Sequence, residues 1–228
     1  MNKRQNNDVL LELLDVGGKR VLDVGCGTGG LVRLMTAMGA KAVGVECGQK
    51  PLDKARAAPV AGGETYVEGF AEDLPFEDAC FDIVVLFNTL HHIGRANQAK
   101  TLAEAARVLK AGGLVYVAEP LADGANFELG KPLVDETDIR AAAYGAVKEA
   151  RAYGLEEIRE VTYSHKIRHR DFAEFRDSKI TVDVGRREAF DEKADQLNAL
   201  FERLGSKEED GMAFDQPMRI NLLGKEGG

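Results

Sequence analysis

Through the first half of the chain, short apolar runs alternate with segments whose apolar residues recur at helical spacing. Runs near Arg20–Val24, Ala42–Glu46, Glu64–Glu68, Phe81–Phe87 and Gly113–Glu119 predict strands, several of them apolar enough to be buried on both faces. Between them the spacing predicts helices near Gly30–Met38, Pro51–Ala57 and Gln98–Leu109. This alternation suits βαβ units, hence an α/β chain with a mostly parallel sheet and helices on both faces. Beyond Glu119, a long helix is predicted over Asp135–Tyr153, stopped by Gly154. Ile158, Val161 and Tyr163, and later Met218, Ile220 and Leu222 alternating with Arg219 and Asn221, read as an antiparallel closing pair of strands. The roughly fifty residues between them are too many for a bare loop and predict a helical insertion before the last strand. Asp171 and Glu174 have capping-box spacing, and Phe190, Ala194, Leu197, Phe201 and Leu204 form a stripe on a second helix.

With 228 residues the chain is long enough for one sizeable domain with a cap. Asp and Glu outnumber Lys and Arg by 38 to 30, a net charge of −8, which disfavours a phosphate backbone as principal partner. Cys26, Cys47 and Cys80 form no Cys-x-x-Cys pair, so neither a disulfide framework nor a zinc cluster is expected. The polar start, Met1–Asp8, and the shortness of every apolar run predict neither an export signal nor a membrane span. A cytoplasmic protein is the expectation.

One run carries the chemistry. Val21-Leu22-Asp23-Val24-Gly25-Cys26-Gly27-Thr28-Gly29-Gly30 is a strand breaking into glycines ahead of a helix. Glycines there let the backbone turn with positive φ and approach a ligand, while the helix amides face negative charge. Gly25-x-Gly27-x-x-Gly30 also satisfies the dinucleotide fingerprint. Asp23 tilts the reading, because a carboxylate there would attract an ammonium group and repel a pyrophosphate.

Asp-x-Gly-x-Gly-x-Gly after an apolar strand resembles the first motif of the class I S-adenosylmethionine-dependent methyltransferases, and from Val21 to Glu119 successive blocks look like those of the small-molecule members. The resemblance implies a Rossmann-like, mostly parallel seven-stranded sheet with an antiparallel closing strand. It makes 1–228 a single methyltransferase domain, with a cofactor-binding half over 1–120, an acceptor half over 121–228 and a cap at about 165–215. It implies that Asp23 orients the amino end of the cofactor and that Gly25, Gly27 and Gly29, with Cys26 among them, admit its backbone. Glu46, with Cys47 beside it, would accept hydrogen bonds from the ribose hydroxyls, as suits a carboxylate facing a vicinal diol. In Gly69-Phe70-Ala71-Glu72-Asp73, Phe70 replaces the acidic residue that often receives the adenine amino group, so adenine recognition falls to Ala71 and Glu72. Phe70 itself fits either the core or the face of a base. Asn88, in Phe87-Asn88-Thr89-Leu90-His91-His92, would flank the departing methyl group.

Methyl transfer from a sulfonium needs alignment and desolvation, with no metal or covalent nucleophile. If a hydroxyl is the acceptor, a histidine suits proton removal, which makes His91 and His165 the candidate catalytic residues. Lys166, Arg168 and Arg170 around His165 and His169 could form a basic lip for an anionic acceptor. The expected function is methyl transfer to a small molecule, giving S-adenosylhomocysteine, without nucleic acid or membrane as partner. The alternatives are an NAD(P)-dependent oxidoreductase and a non-catalytic S-adenosylmethionine-binding protein. The acceptor is expected to be roofed by Leu121–Leu133, the helix near Tyr144 and the insertion from Tyr163 to Phe214. Deleting Asp171–Gly205 should then leave S-adenosylhomocysteine binding intact, measured by calorimetry, while abolishing transfer; loss of both would make the insertion part of the core.

Overall fold

The computed structural model describes residues 1–182 and 185–226. Its elements are α1 (Asn6–Leu13), β1 (Arg20–Val24), α2 (Gly30–Ala37), β2 (Lys41–Glu46), α3 (Gln49–Ala57), β3 (Thr65–Glu68), β4 (Phe81–Phe87), α4 (Arg95–Val108) and β5 (Leu109–Pro120). There follow α5 (Ala125–Gly130), α6 (Thr137–Lys148), β6 (Leu155–His169), α7 (Phe172–Val182), α8 (Arg186–Glu192), α9 (Ala194–Leu204), β7 (Ser206–Glu208) and β8 (Gly211–Lys225). The chain divides into two compact units. The larger holds Asn7–Glu119, Ile139–Val161 and Arg219–Gly228; the smaller holds Met1–Asn6, Pro120–Asp138 and Thr162–Met218. The first long segment of the larger unit ends at Glu119, and two later segments return to that unit.

The sheet order is β3-β2-β1-β4-β5-β8-β6, with β7 paired to β8. The pairs β1–β2, β1–β4, β2–β3 and β4–β5 are parallel, and one antiparallel strand closes the sheet. The path has the seven strands expected; the three-residue β7, antiparallel to β8, makes eight. Continuous apolar runs suit these central positions because both faces are covered: four of the five residues of β1 are buried, as are five of the seven of β4. Strand order reverses at β1, which lies between β2 and β4. Right-handed crossovers send successive helices to opposite faces on either side of that reversal and open a crevice beyond the carboxyl ends of β1 and β4.

Three of the boundaries that differ from the sequence reading have an identifiable cause. β5 starts at Leu109 rather than Gly113, because its register against β4 jumps between Phe81↔Leu109 and Ile83↔Leu114. The extra residues form a bulge in which Gly112 has φ 71°, and a Cβ on Gly113 would lie 2.8 Å from the Asp82 carbonyl. The helix expected over Asp135–Tyr153 is α6 plus a 3₁₀ turn, Ala150–Tyr153, ended by Gly154 at φ 77°. The Phe190-to-Leu204 stripe is split into α8 and α9 at Lys193, whose Nζ donates to the Pro132 carbonyl at 2.5 Å.

In the smaller unit, Leu129, Phe175, Phe190, Leu197, Phe201, Met212 and Phe214 form a core of their own. Asp171 caps the amide of Glu174 at 2.8 Å, as its spacing predicts, while Glu174 reaches back to the amide of Arg170 at 2.6 Å. Positions 183 and 184 of the expected cap, and 227 and 228 of the expected domain, lie outside the described residues.

In the larger unit one guanidinium closes the loop before β4. Arg107 donates to both carboxylate oxygens of Glu104, to Asp78 and to the carbonyls of Leu74 and Phe76, all at 2.7–3.0 Å. Glu104 in turn accepts from the Leu74 amide at 2.8 Å, and the Arg107 fork holds its carboxyl below the usual range. Arg107→Ala is therefore expected to lower stability by about 1–3 kcal/mol in urea unfolding, with little recovery in Arg107→Lys, which lacks the planar fork.

Candidate active site

At the end of β1 the chain bends over β2: the amides of Gly25 and Cys26 both donate to the Val45 carbonyl, at 2.8 and 2.9 Å. Gly25, Gly27 and Gly29 have φ of 72°, 54° and 74°. A Cβ on Gly25 would lie 2.6 Å from the Thr89 methyl, and one on Gly29 would lie 2.5 Å from the Tyr66 ring. A Cβ on Gly27 would meet nothing within 4 Å, so this glycine edges open space. Gly29 caps α2 without a side-chain hydrogen bond, which leaves the amides of the first turn facing outward as a group of donors.

The loop is latched from β2. Glu46 accepts the Gly27 amide on Oε2 at 2.9 Å and the Gly48 amide on Oε1 at 2.7 Å. Oε2 keeps a further lone pair for a diol, while Oε1 also accepts from the Cys47 thiol, a weak donor that a hydroxyl would displace. The Cys26 thiol turns inward onto Gly44, where a Cβ would lie 2.6 Å from Sγ, and burial pushes its pKa up to about 12. Only the main chain of Cys26 is left for the loop face. Cys47 is exposed, its thiol 3.8 Å from Glu46 Oε1.

Asp23 lies between Gly44 and Val85 in the strand register and is only 3 % exposed. Among the described residues its carboxylate has neither a cation nor a hydrogen-bond donor. Burial, and then the charge of Glu46, push its pKa up to about 8. Such a group favours whatever brings it a proton or a positive charge.

On the far side, Phe70 and Asp73 form an isolated bridge, and Ala71 packs against the core. Phe70 is 61 % exposed, which overturns its reading as core: the bridge turns its ring outward. Glu72 gives one oxygen to the Asn97 amide group at 2.6 Å. After β4, Asn88 adopts φ 54° on the exposed strand end, its amide donating to the Ala118 carbonyl at 2.8 Å.

Two residues that the motifs do not mark complete this edge. Thr89 Oγ lies within donating distance of the carbonyls of Val24, at 2.9 Å, and Phe87, at 3.1 Å. Glu119, at the end of β5, accepts from the amides of Thr89, Leu90 and His91 and also meets the Nδ1 of His91 at hydrogen-bonding distance. The signal available for Glu119 was its place at the carboxyl end of a parallel strand, where ligand-facing residues collect. His91 is buried, and the ring of exposed His92 lies 4.0 Å from it, centroid to centroid.

His165 belongs to the smaller unit, apart in the chain's organisation from every other candidate. Its buried Nδ1 has no hydrogen-bond partner, and burial lowers its pKa. The basic lip is not free: Lys166 and Arg168 both pair with Glu208, and Arg170 with Glu174.

The methyltransferase domain family matches residues 22–117. A ubiquinone biosynthesis O-methyltransferase of Dechloromonas aromatica is 34% identical over 117 residues, 49% of this chain and 48% of that protein. The chain thus matches about half the length of its curated relatives. An S-adenosylmethionine-dependent methyltransferase of Mesorhizobium loti superposes with a TM-score of 0.56 at 18% identity, covering 96% of both chains. The [4+2]-cyclase SpnF superposes at 0.63 with 22% identity, over 97% of this chain and 81% of its own. At such identities these likenesses show the fold.

Asp23 supplies a stability test. Its folded pKa of about 8 lies above the ordinary 3.8, so between those values the folded state keeps a proton that the unfolded state releases. Stability therefore falls as pH rises through this window, and the penalty is complete above it. Asp23→Asn should melt higher than the parent, with a gap that is absent near pH 4 and widens up to pH 8 by at most about 1.4 kcal/mol per pH unit. A gap that stays constant with pH would mean that Asp23 is not the titrating group.

Proposed function

From a class I methyltransferase domain over residues 22–117, we propose that the chain transfers the methyl group of S-adenosylmethionine to a small-molecule acceptor. The observation that carries this is Asp23, a buried carboxylate without a partner beside a loop of left-handed glycines. A ligand bearing an ammonium group would relieve it. The spare lone pairs of Glu46 suit the ribose hydroxyls, the uncapped first turn of α2 suits a carboxylate, and Gly27 lets the ligand approach the backbone. Ala71, Glu72, Cys47 and Asn88 would border the nucleoside and the methyl group.

S-adenosylmethionine would supply an already activated methyl on a sulfonium. The protein's part is then to align the acceptor, exclude water and take up a proton where the acceptor loses one. His91 and His165 are the imidazoles read for that last task. A dinucleotide fits less well, since its pyrophosphate would add negative charge beside Asp23 and Glu46. The fold does not itself dictate methyl transfer, as the named cyclase shows, so the reading rests on the matched domain and this site. A small acceptor rather than nucleic acid accords with the net charge of −8. A cytosolic location is proposed with it, since the three cysteines are free. No helix among the described residues is long and apolar enough to cross a membrane.

Calorimetric titration tests the cofactor directly. S-adenosylhomocysteine is expected to bind saturably, and Glu46→Ala to weaken it by about 30- to 300-fold through loss of charge-assisted hydrogen bonds and of the loop latch. Oxidised and reduced nicotinamide dinucleotides should give no heat; saturable binding of either would overturn the proposal. Labelled cofactor that binds but never yields product in a cell extract would point to the non-catalytic alternative.

A further inference from the structure

Building on the reading of this site as a methyl-transfer centre, we propose that Glu119 is a positioning residue that fixes the tautomer of His91. It would do so by holding the ring proton on Nδ1, leaving Nε2 as the proton acceptor. Three of the four groups that meet the Glu119 carboxylate are backbone amides, of Thr89 at 3.1 Å, Leu90 at 2.9 Å and His91 at 3.3 Å. An amide N–H can only donate, so three donors favour the ionised carboxylate, and an ionised carboxylate can only accept from its fourth partner, His91 Nδ1. Nε2 then carries the lone pair, and among the described residues it has no hydrogen-bond partner. The ring of His92, tilted at 41° against it, and the burial of His91 limit rotation of the imidazole.

The same carboxylate fastens the segment to the glycine loop. Thr89, held at its amide by Glu119, reaches the carbonyl of Val24 through Oγ, and its methyl fills the space that a side chain on Gly25 would need. One carboxylate on β5 thus sets the imidazole and, through Thr89, the floor beside the loop after β1. In the transfer, the acceptor's lone pair would bond the methyl carbon as the methyl–sulfur bond breaks and leaves its electron pair on sulfur, and the acceptor's O–H or N–H bond would break with it. The proton passes to Nε2, and the positive charge that leaves the sulfonium ends on an imidazolium whose Nδ1–H faces Glu119. The carboxylate stabilises that imidazolium without taking the proton, as in other base-orienting pairs.

The test is 15N NMR of histidine-labelled protein, with His91 assigned from the signal lost in His91→Gln among the four histidines. Neutral His91 should carry its proton on Nδ1 in the parent. In Glu119→Gln the carboxamide can present N–H to Nδ1, and the ring should change to the Nε2–H tautomer, a shift that a purely structural role for Glu119 would not produce. Nε2–H in the parent, or the same tautomer in both proteins, overturns the proposal. If Glu119→Gln does not fold, the parent tautomer alone decides. S-adenosylhomocysteine titrated into the same parent sample separates the two readings: failure to bind rejects the methyl-transfer site, whereas binding with the wrong tautomer rejects only the role of Glu119.

Discussion

A parallel strand with neighbours on both sides sends the chain out at one end only, and β1 is held in this way between β2 and β4. Because the chain winds outward from β1 in both directions, the loops after β1 and β4 leave side by side with no helix crossing between them. The residues that could touch a cofactor are all drawn from that edge. Asp23 and the glycines come from β1, Glu46 from β2, Asn88 to His91 from β4 and Glu119 from β5. The apolar runs of β1 and β4, buried almost throughout, are thus the condition for a polar site at their ends.

Along that edge the carboxylates are treated differently. Glu46 is satisfied by two loop amides, Glu72 by Asn97 and Glu119 by three amides and an imidazole. Among the described residues, Asp23 alone of these four has no donor, and the charge of Glu46 adds to its penalty. Carboxylates with donors hold loops in place; one without favours a positively charged guest. This is the pattern in which stability is given up at a binding site because the ligand restores it.

The smaller unit follows another logic. Its core is an aromatic cluster, with Phe201 and Phe214 at 5.0 Å and His169 edge-on to Phe175 at 5.4 Å. The cations of its basic run, Lys166, Arg168 and Arg170, are paired with carboxylates. It is built from residues outside the matched stretch 22–117, so the domain match describes the larger unit and says nothing of this one.

The amino-acid sequence by itself determined what depends on local pattern. The ends of β1 and β4 fall where the apolar runs begin and stop, the glycines at 25, 27 and 29 take positive φ, and Asp171 caps the helix that its spacing to Glu174 announces. Tertiary structure decided what depends on partners distant in the chain. The bulge that starts β5 at Leu109 comes from its register against Phe81, and the break at Lys193 coincides with a carbonyl sixty-one residues away. Asn221 looks like the polar side of an alternating strand yet is buried, because Glu157 and Glu160 satisfy its amide group at 2.8 and 2.9 Å. Glu119 ends an apolar strand without any motif, and its role appears only where β5 pairs with β4 and brings the carboxylate under amides twenty-eight to thirty residues earlier. Periodicity and backbone propensity act over a few residues and can be read in order; the partner of a buried polar group is chosen by the whole sheet.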